Sequence, residues 1–211
     1  MNEKFYTLPK EKQTKILNAA MEVFARNEYN RASTDLIATK AEISKGLLFY
    51  YFHNKKELYL YVYNYVEKVV ENAVVDDTFA KITDFFEMLE YSASVKARLM
   101  KENPYILEFA TRAFFSKKEE VSEDLNRINS EQIDQLYQQY FKCIDYSKFR
   151  DGIDPLYLYK MLVWMTDGYM HQAEQSGIKL EVDTIQQEFH QWVHMMKNMV
   201  YKEEYLDIHK K

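Results

Sequence analysis

The stretch that most constrains this chain is residues 33–58, where three helix starts follow one another within 26 residues. Ser33 or Thr34 can cap a first short helix, because a hydroxyl accepts a hydrogen bond from an otherwise orphan first-turn amide. Asp35 then lies where the helix dipole favours an anion. Ile37, Ala38 and Ala41 fall at helical spacing and form a narrow apolar stripe whose small residues admit another helix closely. Ser44 caps the next helix, Lys45 to Phe52, in which Leu48 and Phe52, four apart, share one buried face. Lys45, Gly46, Leu47, Phe49, Tyr50 and Tyr51 are left for the remaining surface, where exposed aromatics are costly unless something covers them. Asn54 with Glu57 three residues on forms a capping box that opens a third helix. Lys55 and Lys56 thus occupy a first turn, where the dipole disfavours cations and a bound phosphate would reverse the penalty.

Two short capped helices around a tight turn, the second with reachable polar and aromatic groups, make the helix-turn-helix pattern for the DNA major groove. The run Thr34-x-x-Ile37-Ala38-x-x-Ala41-x-Ile43-Ser44-Lys45-Gly46-x-x-Phe49-x-Tyr51-Phe52-x-x-Lys55-x-x-Leu58 closely resembles the N-terminal signature of TetR-family transcriptional regulators, over about Lys10 to Tyr61. The resemblance implies an all-α chain: an N-terminal three-helix helix-turn-helix DNA-binding domain, residues 1–56, joined to a C-terminal helical ligand-binding and dimerisation domain, residues 57–211. It also implies a homodimer that binds double-stranded operator DNA, acts as a repressor and is released by a small-molecule effector. Carried onto this chain, the DNA-binding positions are Thr34, Ser44, Lys45, Gly46, Leu47, Phe49, Tyr50, Tyr51 and Lys55. Lys45, Leu47, Tyr50 and Tyr51 are expected to face the groove, and Lys55 to hold a phosphate.

Two positions depart from the family pattern. Where the family has glycine after its first helix and in the turn, this chain has Glu28 and Glu42. Both positions are expected to need positive φ, which costs a non-glycine residue roughly 1 kcal/mol. Asn27 can absorb the first, since Asn tolerates that region. Glu42 has no such neighbour, and its charge points toward a polyanion if it faces DNA. The alternative reading, a helical ligand-binding protein that no longer binds DNA, rests on Glu42 alone.

Only four Gly and three Pro occur in 211 residues, which argues for long helices over a many-turned β-protein. No apolar run approaches the ~20 residues of a membrane span, and Met1-Asn2-Glu3-Lys4-Phe5 lacks the apolar core of a signal peptide. Cys143 is the single cysteine, so there is no internal disulfide, consistent with a reducing cytoplasm and no membrane partner. The net charge of −5 divides unevenly: residues 1–56 hold ten Lys and Arg against six Asp and Glu, a net of +4, and the rest carries −9. That asymmetry suits a small basic reader on an acidic body.

Helical periodicity gives a first helix from Lys10 to Arg26 and a long one from Asn54 to about Val75. Further helices are expected over Thr78–Glu102, Tyr105–Phe115, Lys117–Cys143, Pro155–Glu174 and Val182–Tyr201. The last two carry Leu158, Met161, Leu162, Met165 and Gly168, then Ile185, Phe189, Trp192 and Met196, and suit a self-complementary homodimer contact. Phe85, Leu89, Tyr105, Phe109, Phe114, Met161, Trp164, Met165 and Tyr169 are the candidates for an apolar effector cavity. Aromatic density suggests a bulky apolar effector, for which fatty acyl chains are the competitor; the body's −9 admits a positive charge on it as a variant, with Asp167 beside Trp164 as a candidate partner. Helix 57–75, the covalent link, is expected to carry the effector signal to the reader. No phosphate-binding glycine loop, Ser-His-Asp order or distinctive carboxylate pair is present, so neither an enzyme nor a cofactor is expected. His190 and His194 share a helix face without a third ligand nearby, which reads as a histidine pair rather than a metal site. Cys143 reads as a small buried hydrophobe.

Overall fold

Side chains that accept backbone hydrogen bonds mark where the helices begin. Ser33 Oγ accepts from the Leu36 amide at 3.3 Å, Ser44 Oγ from Leu47 at 3.1 Å, and Asn54 Oδ1 from Glu57 at 2.8 Å. Asp84 Oδ1 accepts from Phe86 and Glu87, and Asp154 Oδ1 from Leu156 and Tyr157, satisfying first-turn donors that have no partner within the helix. The structure, a computed structural model, describes residues 3–116 and 120–206. Its described residues form α1 (Lys10–Arg26), α2 (Thr34–Lys40), α3 (Lys45–Phe52), α4 (Lys55–Val74), α5 (Phe85–Glu102), α6 (Pro104–Phe114), α7 (Ser122–Tyr140), α8 (Pro155–Gln175) and α9 (Val182–Val200). The fold is all-α; among the described residues, extended pairing amounts to one antiparallel bridge between Phe149 and Tyr201.

Two expected helices are shorter than their periodicity suggests. The helix anticipated from Thr78 starts only at Phe85. Asp76 Oδ1 accepts from the Thr78 and Phe79 amides, and a 3-10 turn, Phe79–Lys81, buries Phe79 and Ile82 before Asp84 restarts the chain. The helix anticipated over Lys117–Cys143 spans Ser122–Tyr140, and residues 117–119 lie outside those described.

The chain divides into two compact units. One takes the described residues through Glu71 together with those of Glu102–Asn129; the other takes Asn72–Lys101 and the described residues from Ser130 onward. In the first unit α1 buries Ile16, Leu17, Ala20, Val23 and Phe24. Phe24 meets Tyr59 of α4 with ring centroids 4.8 Å apart, and Phe109 of α6 lies 5.2 Å from Tyr59. Polar contacts reinforce this α1–α6 seam: Arg112 Nε donates to the Ala25 carbonyl at 2.8 Å, and Arg26 Nη2 donates to the Tyr105 hydroxyl at 2.6 Å.

The second unit packs around Phe85, Phe86, Phe141, Phe149 and Tyr201, with Leu158 and Leu162 from α8 and Val193, Met196 and Val200 from α9. Phe149 and Tyr201 face each other edge-on at 4.9 Å, each also touching Phe86. At the edge of this core the Asp84 carboxylate, which caps α5, pairs with Lys148 at 2.8 Å. Burial works against its charge, but the Lys148 hydrogen bond, the Glu87 amide and the Lys197 and Lys148 charges outweigh that, leaving its pKa below the ordinary carboxylate value. A depressed folded-state pKa contributes stability present above the unfolded value of about 3.9 and lost as pH falls through the lower folded one. Asp84→Asn keeps a capping oxygen, so its unfolding free energy is expected to fall less steeply than wild type as pH drops from about 4. Asp84→Ala should cost about 2 kcal/mol at neutral pH, by loss of the cap and of the Lys148 partner. Urea unfolding at pH 7 and at pH 3 checks both.

Candidate nucleic-acid interface

The turn between α2 and α3 closes in a Schellman motif. The Ile43 amide donates to the Ala38 carbonyl at 3.0 Å and the Glu42 amide to Thr39 at 3.1 Å. This closure puts Glu42 in the left-handed region, with φ 55°, as its place in the turn demanded. Its carboxylate does not stand alone: Lys15 of α1 lies 2.5 Å away. The expectation for Glu28 is corrected, since its φ is −55° and Asn27 is extended at −134°. The chain leaves α1 through an extended residue and a 3-10 turn, Tyr29–Arg31, so no left-handed step is required.

The second residue at positive φ is His53 (φ 54°, ψ −47°), which no sequence signal announced. The Asn54 amide donates across it to the Phe52 carbonyl at 2.5 Å, a γ-turn of the rare, strained hand. This reversal ends α3 and lets Asn54 cap α4 in the next step. Glu42→Gly is expected to raise stability by about 0.5–1 kcal/mol, because relief of the left-handed strain outweighs an exposed ion pair. Thermal unfolding of Glu42→Gly beside Lys15→Ala separates the two contributions.

On α3, Leu48 and Phe52 are fully buried and fix the helix to the unit. Ser44, Lys45, Gly46 and Tyr50 are exposed, Tyr50 by 49%. Thr34, at the start of α2, is half-buried, as are Leu47 and Phe49. Lys45 Nζ sits 2.8 Å from Asp35 Oδ2, tying the first turn of the second helix to that of the first. Tyr51 is a correction: expected on the groove side, it is only 6% exposed. Its ring packs edge-on against Phe5, 5.7 Å between centroids, because a 3-10 turn, Glu3–Phe5, folds over that side of α3. Phe5 also lies 4.9 Å from Phe52 and 5.6 Å from Tyr61 of α4. A lone phenylalanine ahead of the first periodic helix was the one signal for it.

Lys55 lies over the Tyr29 ring at 4.7 Å and donates to the Asn30 carbonyl at 3.2 Å. Lys56 pairs with Asp124 at the start of α7, at 2.8 Å; that hydrogen bond raises the lysine's pKa. On α1, Glu22 gathers Lys40 of α2, Arg26 and the Tyr105 hydroxyl of α6, and the Lys40 hydrogen bond leads the causes that hold its pKa below the ordinary value.

The comparisons with known proteins agree with this geometry. A sequence model of the bacterial regulatory proteins of the tetR family matches residues 16–62, the span from α1 into α4. The HTH-type transcriptional regulator QacR of Staphylococcus aureus is 30% identical over 131 residues, covering 61% of this chain and 68% of QacR. The chain belongs to the TetR family. The HTH-type transcriptional activator FasR of Mycolicibacterium smegmatis is 35% identical over 121 residues, 51% of this chain and about half, 53%, of FasR. Among solved structures, the transcriptional regulator FadR from Bacillus subtilis in complex with stearoyl-CoA covers 85% of this chain and 96% of its own, with TM-score 0.62 and 17% identity, a likeness of fold.

This TetR-family chain is therefore a DNA-binding transcriptional regulator and not an enzyme. The residues expected to line its effector cavity divide between the two units. Tyr105 and Phe109 belong to the α1–α6 seam of the first unit, and Phe114 of the same helix is half-buried against Phe115. Phe85 and Leu89 fill the core of the second unit, and Met165 packs on it. Tyr169 packs on Trp192 at 5.8 Å, while Met161 and Trp164 face outward, Trp164 by 50%. Asp167 is exposed, within 3.5 Å of His171, so it is not the buried acid expected near Trp164.

Two clefts open in the second unit. One of about 540 Å³ is lined in part by Tyr137, Tyr146, Phe149, Arg150, Ile153 and Lys202; one of about 350 Å³ by Asp84, Phe86, Glu90, Lys148, His190 and His194. His190 Nδ1 lies 2.8 Å from Glu90, and no group of three His, Cys, Asp or Glu among the described residues is placed to hold a metal ion. Cys143 is exposed rather than buried, because it falls just beyond the last turn of α7. No described helix is long and apolar enough to cross a membrane.

Proposed function

We propose that the protein is a homodimeric repressor whose residues 1–56 read an operator and whose residues 57–211 dimerise and bind a small effector. The observation that carries the reading is the exposed face of α3 above its buried Leu48 and Phe52, with Ser44, Lys45, Gly46 and Tyr50 free of core packing. Gly46 adds support. A Cβ there would meet only Ser44 Oγ, at 3.9 Å, so nothing among the described residues explains a glycine that costs a helix roughly 1 kcal/mol. A close approach of the α3 backbone to DNA explains it. The Lys15 partner of Glu42 weakens the alternative of a chain that has lost DNA binding, since it screens the one carboxylate that favoured it.

The homodimer reading rests on an apolar stripe. Tyr157, Met161 and Trp164 on α8, and Met195 and Met199 on α9, are all exposed at helical spacing. Gly168 continues the α8 stripe, and a Cβ there would meet nothing within 4 Å, which suits close helix approach. The effector is a small molecule with an apolar body. Tyr137, Phe149 and Ile153 in the larger cleft suit such a body, and Arg150 and Lys202 against the single acid Asp151 leave its lining net positive, which favours an anionic head over a cationic one. FadR, seen with stearoyl-CoA, has this fold.

The test is a gel shift on duplex DNA from the upstream region of its own gene. Affinity is expected to fall by roughly 10³-fold or more between 50 and 200 mM salt if six or more phosphates are contacted, and a long-chain acyl-coenzyme A, but not a lipophilic cation, is expected to release the DNA. Absence of any shift at low salt sinks the DNA reading, and release by the cation alone sinks the effector assignment.

A further inference from the structure

We propose that Asp35 and Lys45 act as one unit that reads a G·C base pair in each half-site, Lys45 on guanine and Asp35 on cytosine; this rests on the DNA-binding reading above. Lys45 is the first residue of α3, and the N-terminal residues of the second helix in this motif reach base edges. Asp35 is the second residue of α2, and its Oδ2 lies 2.8 Å from Lys45 Nζ. Both side chains are open to solvent, 69% for Asp35 and 50% for Lys45. An exposed ion pair adds little to stability, and the dipole of α2 favours any acid in its first turn, Asp35 included; neither effect calls for an ammonium held beside the carboxylate, and a carboxylate facing phosphates is repelled.

The shape of a base-pair edge does account for it. In the major groove a G·C pair presents guanine O6, an acceptor, beside the cytosine N4 amino donor, about 2.9 Å apart because they are hydrogen-bonded to each other. Lys45 and Asp35 present a donor beside an acceptor at the matching spacing. The ammonium has three hydrogens, so it can keep Asp35 while donating to O6 and to guanine N7. The carboxylate accepts from N4, the pairing expected of an acidic side chain on cytosine. A T·A pair offers O4 and the adenine N6 amino group in the same order, but a methyl group stands where guanine has N7, so the lysine loses one hydrogen bond. Inverting either pair sets the ammonium against an amino group and the carboxylate against a carbonyl oxygen. The expected order under Lys45 is guanine, then thymine, then adenine and cytosine.

The experiment is selection of binding duplexes from a random-sequence pool by the full-length protein and by Asp35→Ala, Asp35→Asn and Lys45→Ala, with circular dichroism of each variant to confirm that it is folded. The native protein is expected to fix one G·C pair in each half-site, at least roughly ten-fold over its inverse, and all three variants to relax that same position. Three results overturn the proposal: unchanged preferences in both Asp35 variants, relaxation of different base pairs by the Asp35 and Lys45 variants, or equal weakening of all sequences by Lys45→Ala with a salt slope smaller by about one, the mark of a phosphate contact. If the native protein enriches no sequence at all, the DNA-binding reading falls first and this assignment with it.

Discussion

Trp164→Glu is expected to yield a folded protein that sediments as a monomer at micromolar concentration and no longer shifts a duplex carrying two half-sites. Trp164 is 50% exposed on α8, one helical step from Met161 and edge-on to Tyr157 at 5.8 Å, so its ring supports an outer stripe rather than the protomer's core. The half of the tryptophan still open to water, about 125 Å², contributes on the order of 3 kcal/mol when withdrawn from it, and a two-fold interface repeats the change on both sides. A carboxylate buried there adds a desolvation penalty of several kcal/mol. Trp192→Glu is the less informative variant, since Trp192 is half-buried against Tyr169 and the second unit's core and its loss also damages the protomer. A Trp164→Glu protein that sediments as a dimer would remove the stripe from the interface.

Phe5→Ala is the second large effect. Phe5 has no exposed surface and touches Tyr51, Phe52, Tyr61 and Tyr6. Truncations of buried phenylalanine cost about 3–5 kcal/mol, and the lower figure suits a residue held in a three-residue turn. At roughly 2–4 °C per kcal/mol for a chain of this size, melting should fall by about 6–12 °C. The loss concentrates on α3, whose eight residues are too few to hold a helix without tertiary packing. Operator affinity should therefore drop with Phe5→Ala and much less with Tyr6→Ala, whose ring is 56% exposed. A Phe5→Ala protein with unaltered melting would show that the N-terminal turn does not brace the reading helix.

The helix-turn-helix was legible because its information is local. Caps at Ser33, Ser44 and Asn54 and the four-residue spacing of Leu48 and Phe52 are each set within one or two turns. Tyr51 was misplaced because what covers it, Phe5, lies 46 positions away and belongs to no periodic segment. His53 carries no mark of its left-handed backbone, since the geometry is imposed by Phe52 being buried on one side and Asn54 capping on the other. The aromatic stripes were hard to assign for a different reason. Helical spacing says that a face is covered, not whether another helix or a ligand covers it, so Phe85 and Phe109 looked alike although they sit in the cores of different units. Met161 and Trp164 share that spacing and yet face out.

The seam between α1 and α6 bears on how such a protein can be recombined. Phe24, Tyr59 and Phe109 close one cluster, yet Phe109 arrives fifty positions after Tyr59 along the chain. A reader cut out after α4 and grafted onto a foreign partner would leave behind the helix that covers α1, exposing Phe24 and Tyr59 and orphaning Arg26 and Glu22 from Tyr105. The transplantable piece is discontinuous: α1 to α4 plus α6, two stretches of chain that must travel together or be replaced by a recipient whose own sixth helix carries an aromatic to fill the same notch.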